Sequence, residues 1–336
     1  MESKDAPFAR RGQVMQVIRS DPVVMWMMGG SGSKVKFNDA YLLNFETMEW
    51  KKLEPNITLP FIVHATATKL GHRIWIFGGL SGLRDTNTLF YYNILEDTWT
   101  IPEISGTLPA PRSGHSAAPL DDTRILIFGG SSKANIYNDI SIFDTDSMSW
   151  TIQLQSTISP WPSPRLFSQL SVFPDQKGRL LLYGGRNKEQ VFGDVWAYSE
   201  EEGWKELLIE DKDGPLPKAR AGHTMNPVYL PAHRNSESKF VVFGGWDGGK
   251  KDGMEFGAEN DLWELRISRE DQYSWAEIEF ASKPPGRDCH SAVLTRTSPY
   301  CHSNDQNHLI LFGGCDASFE YLNDLNVCNI GERWEV

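Results

Sequence analysis

Residues 124–150 read RILIFGGSSKANIYNDISIFDTDSMSW, and that stretch decides the fold. A four-residue apolar run, Ile125 to Phe128, ends in Gly129-Gly130, Asn138-Asp139 opens a second apolar run, and Trp150 closes the unit. Just upstream stands a polar opening, Pro111-Arg112-Ser113-Gly114-His115-Ser116. Working outward, the same order recurs along the chain. Gly29-Gly30, Gly78-Gly79, Gly184-Gly185, Gly244-Gly245 and Gly313-Gly314 each end a run such as VVMWMM, RIWIF or HLILF. A tryptophan follows each pair: Trp50, Trp99, Trp150, Trp204, Trp275 and Trp334. Second glycine to tryptophan is 20 residues in four units, 19 in the fourth and 30 in the fifth. Chance does not produce six copies in phase, and a period near fifty residues is the mark of a repeat architecture.

Each unit predicts four short strands, a to d. Strand a follows the Pro/Arg/His opening, b ends in Gly-Gly, c follows Asn-Asp and d carries the tryptophan. Apolar runs of this length bounded by Gly, Pro and Asn are strand signals, and no helical period extends beyond ten residues. The double glycine predicts a tight turn and a close backbone approach. The tryptophan predicts an apolar plug between adjacent sheets. A four-stranded unit that cannot bury both faces alone closes radially. The expected fold is therefore all-β, a six-bladed β-propeller of four-stranded antiparallel blades.

These residues resemble the kelch motif, and six copies resemble a stand-alone six-bladed kelch propeller of the galactose oxidase/kelch superfamily. The resemblance covers residues 7–336, with blades expected at 7–55, 56–105, 106–158, 159–212, 213–281 and 282–336. It is specific for fold and weak for function, because one architecture hosts many roles. The first unit lacks the histidine of the opening, and the second has His64 without a preceding arginine. Each blade is expected to be built from its own unit, with the ring closed by packing of blade on blade.

Antiparallel strands put the d–a and b–c connections on one face and the a–b and c–d connections on the other. The resemblance to kelch propellers implies that strand a is innermost, so its opening residues are expected to ring the channel mouth. Arg11, Arg112, Arg165, Arg220 and Arg287 open five strands there, joined by His64, His115, His223 and His290. Arginine suits bidentate recognition of carboxylates, and a ring of them focuses positive potential. That pattern points to an acidic peptide or a free carboxylate as ligand. The competing assignment makes the same residues structural members that bond backbone or neighbouring blades. The fifth b–c connection is longer by about seven residues than the equivalent loops of the first four units, and carries Trp246, Lys250 and Phe256 as candidate contacts on a Gly-rich loop. The long loops 226–239 and 296–307 belong to the opposite face.

Chemistry is sparse. The cysteines Cys289, Cys301, Cys315 and Cys328 lack CxxC spacing, so free thiols are expected rather than a metal site. Dinucleotide, phosphate-loop and Gly-x-Ser-x-Gly motifs are absent from the sequence. Copper-radical oxidases and the iron-binding specifier propellers resemble this chain in fold, but the Glu-x3-Asp-x3-His pattern of the latter has no counterpart here. No cofactor, no metal and no catalytic residue is expected.

With 33 basic and 44 acidic residues the formal charge is −11, unfavourable for nonspecific nucleic-acid binding. The apolar share of 40% is enough for a large core. No apolar run reaches the roughly 18 residues of a membrane span, and residues 1–11 lack the apolar segment of a secretory signal. The expectation is a cytoplasmic or nuclear adaptor, not an enzyme, that binds a protein or acidic peptide at the channel mouth. Two alternatives stand beside it. One is a small-molecule enzyme, specifier or cyclase using His115, His223 and His290 as acid/base groups; the other is a ubiquitin-ligase substrate receptor reading a peptide carboxylate.

Overall fold

Short apolar strands flanked by glycine and asparagine satisfy their backbone only by pairing, and each unit here pairs with itself. A computed structural model describes residues 6–20, 22–133, 135–155, 159–209, 214–229, 237–251, 254–255, 257–279, 283–295, 307–330 and 334–335. Blade one consists of Val14–Ser20, Val23–Met28, Ala40–Asn44 and Glu49–Lys52. Blade two consists of Thr66–Leu70, Arg73–Phe77, Leu89–Asn93 and Thr98–Thr100. Blade three takes Ser116–Pro119, Arg124–Phe128, Ile140–Asp144 and Ser149–Gln153. Blade four takes Gln169–Val172, Leu180–Tyr183, Val195–Ser199 and Gly203–Glu206. Blade five takes Thr224–Val228, Ser238–Phe243, Leu262–Ile267 and Gln272–Glu277. Blade six takes Ser291–Thr295, His308–Phe312, Leu325–Asn329 and Trp334–Glu335. Within every blade the strands are antiparallel neighbours in chain order. Blades three and five gain a two-residue parallel strand on their outer edge, Ser105–Gly106 and Leu208–Ile209, supplied by the connection that enters the blade. No helix occurs among the described residues. The fold is the six-bladed propeller that the repeat predicts.

First strands of neighbouring blades contact one another around the axis, and the core lies between successive sheets. In blades one to five the tryptophan of the fourth strand packs on the second strand of the preceding blade. Trp150 meets Phe77 at 5.0 Å, Trp204 meets Phe128 at 5.0 Å and Trp275 meets Tyr183 at 5.0 Å between ring centroids. Trp50 lies 5.4 Å from Phe312, so the same contact spans the seam between blades six and one. The tryptophan is thus an inter-blade wedge, which explains why each unit carries one.

Two closed circles of backbone hydrogen bonds fix the ring. In the inner circle Gly12, His64, Gly114, Phe167, Gly222 and Cys289 each donate the amide to the carbonyl of the equivalent residue one blade back, at 2.7–2.9 Å. In the outer circle the second glycine of each pair donates to a carbonyl of the following blade: Gly30 to Ile62, Gly79 to Arg112, Gly130 to Arg165, Gly185 to Arg220, Gly245 to Arg287 and Gly314 to Arg10. The seam is further tied by Gln13 Nε2 to the Phe312 carbonyl and Ser291 Oγ to the Gln13 carbonyl, both at 2.8 Å. Among the described residues the ring closes without a strand exchanged between terminal blades.

The outer circle explains the double glycine. At Gly129 φ is +68°, and a Cβ would stand 2.6 Å from the Arg165 carbonyl oxygen of the next blade. At Gly130 φ is +87°, and a Cβ would stand 2.8 Å from that of His115 in the same blade. Left-handed backbone plus backbone-to-backbone contact leaves no room for a side chain. Gly129→Ala is expected to lower stability by about 2 kcal/mol or more, measured by urea unfolding; a loss within error would remove this explanation.

Candidate functional site

The arginines of the openings are drawn inward by carboxylates on their own blades. Arg10 pairs with Asp39 at 2.6 Å, Arg112 with Asp139 at 2.8 Å, Arg165 with Asp194 at 2.6 Å, Arg220 with Asp261 at 2.7 Å and Arg287 with Asp324 at 2.6 Å. Each Nη1 also donates to the carbonyl of the first glycine of its blade, and each Nε to the carbonyl two residues before it. Four of the five guanidinium N–H groups are thereby used inside the blade. All five arginines are 0–1% exposed. They clamp the d–a segment to the b–c turn. Blade two lacks both partners, with buried Ile62 at the arginine position and Thr88 at the aspartate position.

This corrects the expectation that Arg112, Arg165, Arg220 and Arg287 line a binding surface. Buried and paired, they offer no free donors to a partner. It also corrects the register of the first blade, where Arg10 is the clamp and Arg11 is the residue beside it. The histidines change role too. His115, His223 and His290 are buried, with Nε2 of His115 on Thr66 Oγ1 at 2.8 Å and that of His290 on Thr224 Oγ1 at 2.9 Å. Burial, reinforced by Arg112 and Arg287, pushes His115 and His290 down to about 3, and burial with Arg220 lowers His223 well below its ordinary value. Held neutral across the physiological range, they do not provide the near-neutral acid/base pair that the enzyme alternative requires.

What the mouth does present comes from positions where the blades differ. The inner circle places six residues at left-handed φ, alternately Gly12, Gly114 and Gly222 and then His64, Phe167 and Cys289. Each side chain leans over a glycine of the preceding blade. A Cβ on Gly12 would lie 2.6 Å from His64 Nδ1, one on Gly114 2.9 Å from the Phe167 ring and one on Gly222 3.2 Å from Cys289 Sγ. His64 meets Phe167 edge-on at 4.9 Å. His64, Phe167, Gly222 and Cys289 line both a channel cavity of about 260 Å³ and a mouth cavity of about 250 Å³, and so form the partition between them.

The mouth cavity is bordered by Arg11, Arg186, Trp246, Asp288 and Phe319 above that floor. Arg186 stacks over Trp246 at 5.2 Å and Arg11 over Tyr321 at 5.5 Å. Neither guanidinium forms an ion pair with a carboxylate among the described residues, and the Arg11 Nε–H is buried without a hydrogen-bond partner. Burial works against the Arg11 charge, yet Cys289, Tyr321 and Asp288 outweigh it and raise its pKa. Burial raises the Asp288 carboxyl against the pull of Arg11 and Arg186. Burial and Asp288 push the Cys289 thiol well up, so it stays protonated. The arrangement is a cationic, aromatic-walled pocket, suited to an anionic or flat group and without a nucleophile.

Of the sequence candidates, Arg11, His64 and Trp246 meet in this pocket. Lys250 lies on a two-residue strand, Lys250–Lys251, paired with Met254–Glu255; Phe256 lies outside the described residues, as does Cys301. The remaining cysteines are free thiols, and no cluster with metal-ligating chemistry occurs among the described residues. Arg186, Phe167, Asp288 and Phe319 escaped sequence reasoning. Arg186, like Trp246, directly follows a double glycine, and that position bridges to the residue after the clamp position, as in Leu166 with Arg186 and Ala221 with Trp246. Reading the residue after each Gly-Gly would have found both.

Comparison with known proteins agrees with this architecture. The family model KLHDC2/KLHL20/DRC7 Kelch-repeats domain matches residues 1–177 and 157–332. The flagellar outer-arm dynein alpha chain of Chlamydomonas reinhardtii is 30% identical over 243 residues, covering 68% of this chain and 5% of that protein. The Rab9 effector protein with kelch motifs of Mus musculus is 28% identical over 176 residues, covering 51% of this chain and 45% of that protein. Host cell factor of Drosophila melanogaster is 26% identical over 286 residues, covering 73% of this chain and 18% of that protein. The chain spans less than half the length of each of these three relatives.

Proposed function

This chain belongs to the kelch-repeat family, and from that premise we propose that it is a protein-binding propeller whose partner docks on the face made by the d–a and b–c connections. The partner inserts an acidic group into the mouth cavity, between Arg11 and Arg186 and against Trp246 and Phe319. One observation carries the reading: two guanidinium groups without ion-pair partners among the described residues border a cavity with aromatic walls, whereas the five clamp arginines are buried and paired. Charge-assisted hydrogen bonds from arginine to carboxylate are strong and directional, and desolvated aromatic and arginine side chains dominate interface energetics. Similarity to a protein named as a Rab9 effector supports a protein as the ligand class. No helix among the described residues is long and apolar enough to cross a membrane.

The test starts with a partner identified by proximity labelling and then purified. Arg11→Ala combined with Arg186→Ala is expected to weaken its binding at least tenfold while the urea midpoint stays unchanged. Undiminished binding by this folded variant would refute the site. The paired arginines favour a finer version, in which the group received is a chain-terminal carboxylate such as a ubiquitin-ligase substrate receptor would read. Amidating the partner's C-terminus should then reproduce the loss, and binding indifferent to amidation would assign the pocket to a side-chain carboxylate instead.

A further inference from the structure

The mouth cavity holds an acid among its bases. Arg11 and Arg186 line its 250 Å³ together with the half-buried carboxyl of Asp288, and the other titratable groups in the lining are His64 and Cys289. Asp288 ends a two-residue strand, Arg287–Asp288, paired with Cys315–Asp316 so that Asp288 stands opposite Cys315. The groups packed around it are fixed in charge or already engaged. The Cys289 thiol donates to Asp288 Oδ2 at 3.7 Å, and burial together with that carboxylate keeps it protonated. Burial pushes the Cys315 thiol up to about 11. His64 is pushed down to about 3 by burial and by Arg11, and stays neutral. Arg287 is committed to Asp324 at 2.6 Å, Asp316 accepts from the Ser318 and Glu320 amides at 2.8 and 2.9 Å, and Tyr321 bridges through its backbone to Cys315. Asp288 differs from all of these: burial outweighs Arg11 and Arg186 and moves its carboxyl up, toward neutral pH.

We propose that the mouth cavity takes up its acidic ligand together with one proton, held between the ligand carboxylate and Asp288, so that binding tightens as the pH falls. The cause is proximity. A carboxylate seated between Arg11 and Arg186 enters the same small, partly dehydrated space as Asp288, where like charges repel far more strongly than in water. Two carboxylates in one site do not both ionise; one keeps a proton, and that proton belongs to the pair. Once neutral, Asp288 leaves both guanidinium groups to the incoming oxygens and can itself donate to them. The carboxyl therefore binds its proton more tightly in the complex than in the free chain. Affinity rises as the pH falls between those two values, by at most about tenfold per pH unit, and levels off below them. The coupling rests on the mouth cavity as the anion site proposed above, and it is indifferent to whether a protein carries the anion.

Benzoate, flat and ionised throughout the range, is the probe. The full chain is titrated with it between pH 7.5 and 5.5 at fixed salt, and the Trp246 indole N–H is followed by NMR. The dissociation constant is expected to fall about threefold or more across the range. Calorimetry in two buffers of different ionisation enthalpy should show net proton uptake. Asp288→Asn should bind benzoate at pH 7.5 at least as tightly as the parent chain does at pH 5.5, without pH dependence and without uptake. Affinity independent of pH in the parent chain, or a dependence that persists in Asp288→Asn, overturns the coupling and leaves the cavity an anion site. No Trp246 response at either pH, or one that survives Arg11→Ala with Arg186→Ala, overturns the anion site and the coupling with it. Proton uptake by the parent chain keeps the test decisive even where Asp288→Asn fails to fold.

Discussion

Arg220→Ala is expected to lower the unfolding free energy by about 3–5 kcal/mol, the range for breaking a buried ion pair by removing one partner. The size follows from what the guanidinium leaves behind. Asp261 Oδ1 and Oδ2 lose donors at 2.7 and 2.8 Å, and the carbonyls of Gly244 and Lys218 lose donors at 2.9 and 3.1 Å. Unsatisfied buried acceptors cost their full desolvation. The protein contains its own control for the opposite manipulation, since blade two holds Ile62 and Thr88 at the same two positions and still closes both hydrogen-bonded circles. Arg220→Ile combined with Asp261→Thr should therefore recover most of the loss, because replacing both partners of a buried pair by groups that pack is far milder than orphaning one. Urea unfolding of the four chains of this cycle measures the coupling. Near-additive losses, or an Arg220→Ala variant that keeps its stability while losing a partner, would return the clamp arginines to a recognition role.

The parts of this molecule that were legible in the sequence are those held by contacts repeated in every blade. Gly129 and Gly130 are glycine because backbone from the next blade and from the same blade fills the space of their Cβ atoms, and that constraint recurs at each pair. Trp150 recurs because each gap between sheets needs the same wedge. The arginine ring was legible as a pattern and misread in direction. Its carboxylate partners stand 27–41 residues downstream, and the Asn-Asp signal was read only as the opening of a strand. Arg10 and Arg11 are adjacent and chemically identical; only the bridge between Arg11 and Ser31 and the pairing of Arg10 with Asp39 separate their roles. The mouth pocket was illegible for the complementary reason. Phe167, Arg186, Asp288 and Phe319 occupy repeat positions whose residue type changes from blade to blade, so periodicity hides them.

Acid should unfold this protein in a pH window set by its buried histidines. His115 and His290 sit near 3 in the folded chain against 6.5 when exposed. Their folded pKa is depressed, so the unfolded chain binds protons first as the pH falls. The stability they contribute is fully present above about 6.5 and is lost progressively down toward 3. Two such groups give a slope of about 2.7 kcal/mol per pH unit, enough to exhaust a stability of about 5–15 kcal/mol within a few pH units. The clamp carboxylates act in a different window. Burial works to raise Asp261 and Asp324, but Arg220 and Arg287 outweigh it and lower them below 3.8, so their contribution fails only beneath that pH. Loss of stability between pH 6.5 and 4 is thus assigned to histidine, and below 3.8 the clamps add to the last of the histidine loss. Urea unfolding at pH 7, 6 and 5 should show the slope, and His115→Gln with His290→Gln should reduce it while leaving the lower window in place, the remainder coming from His64 and His223, which burial also lowers. A stability independent of pH over that range would mean that the imidazoles reach water and titrate normally, and would reopen them as acid/base groups.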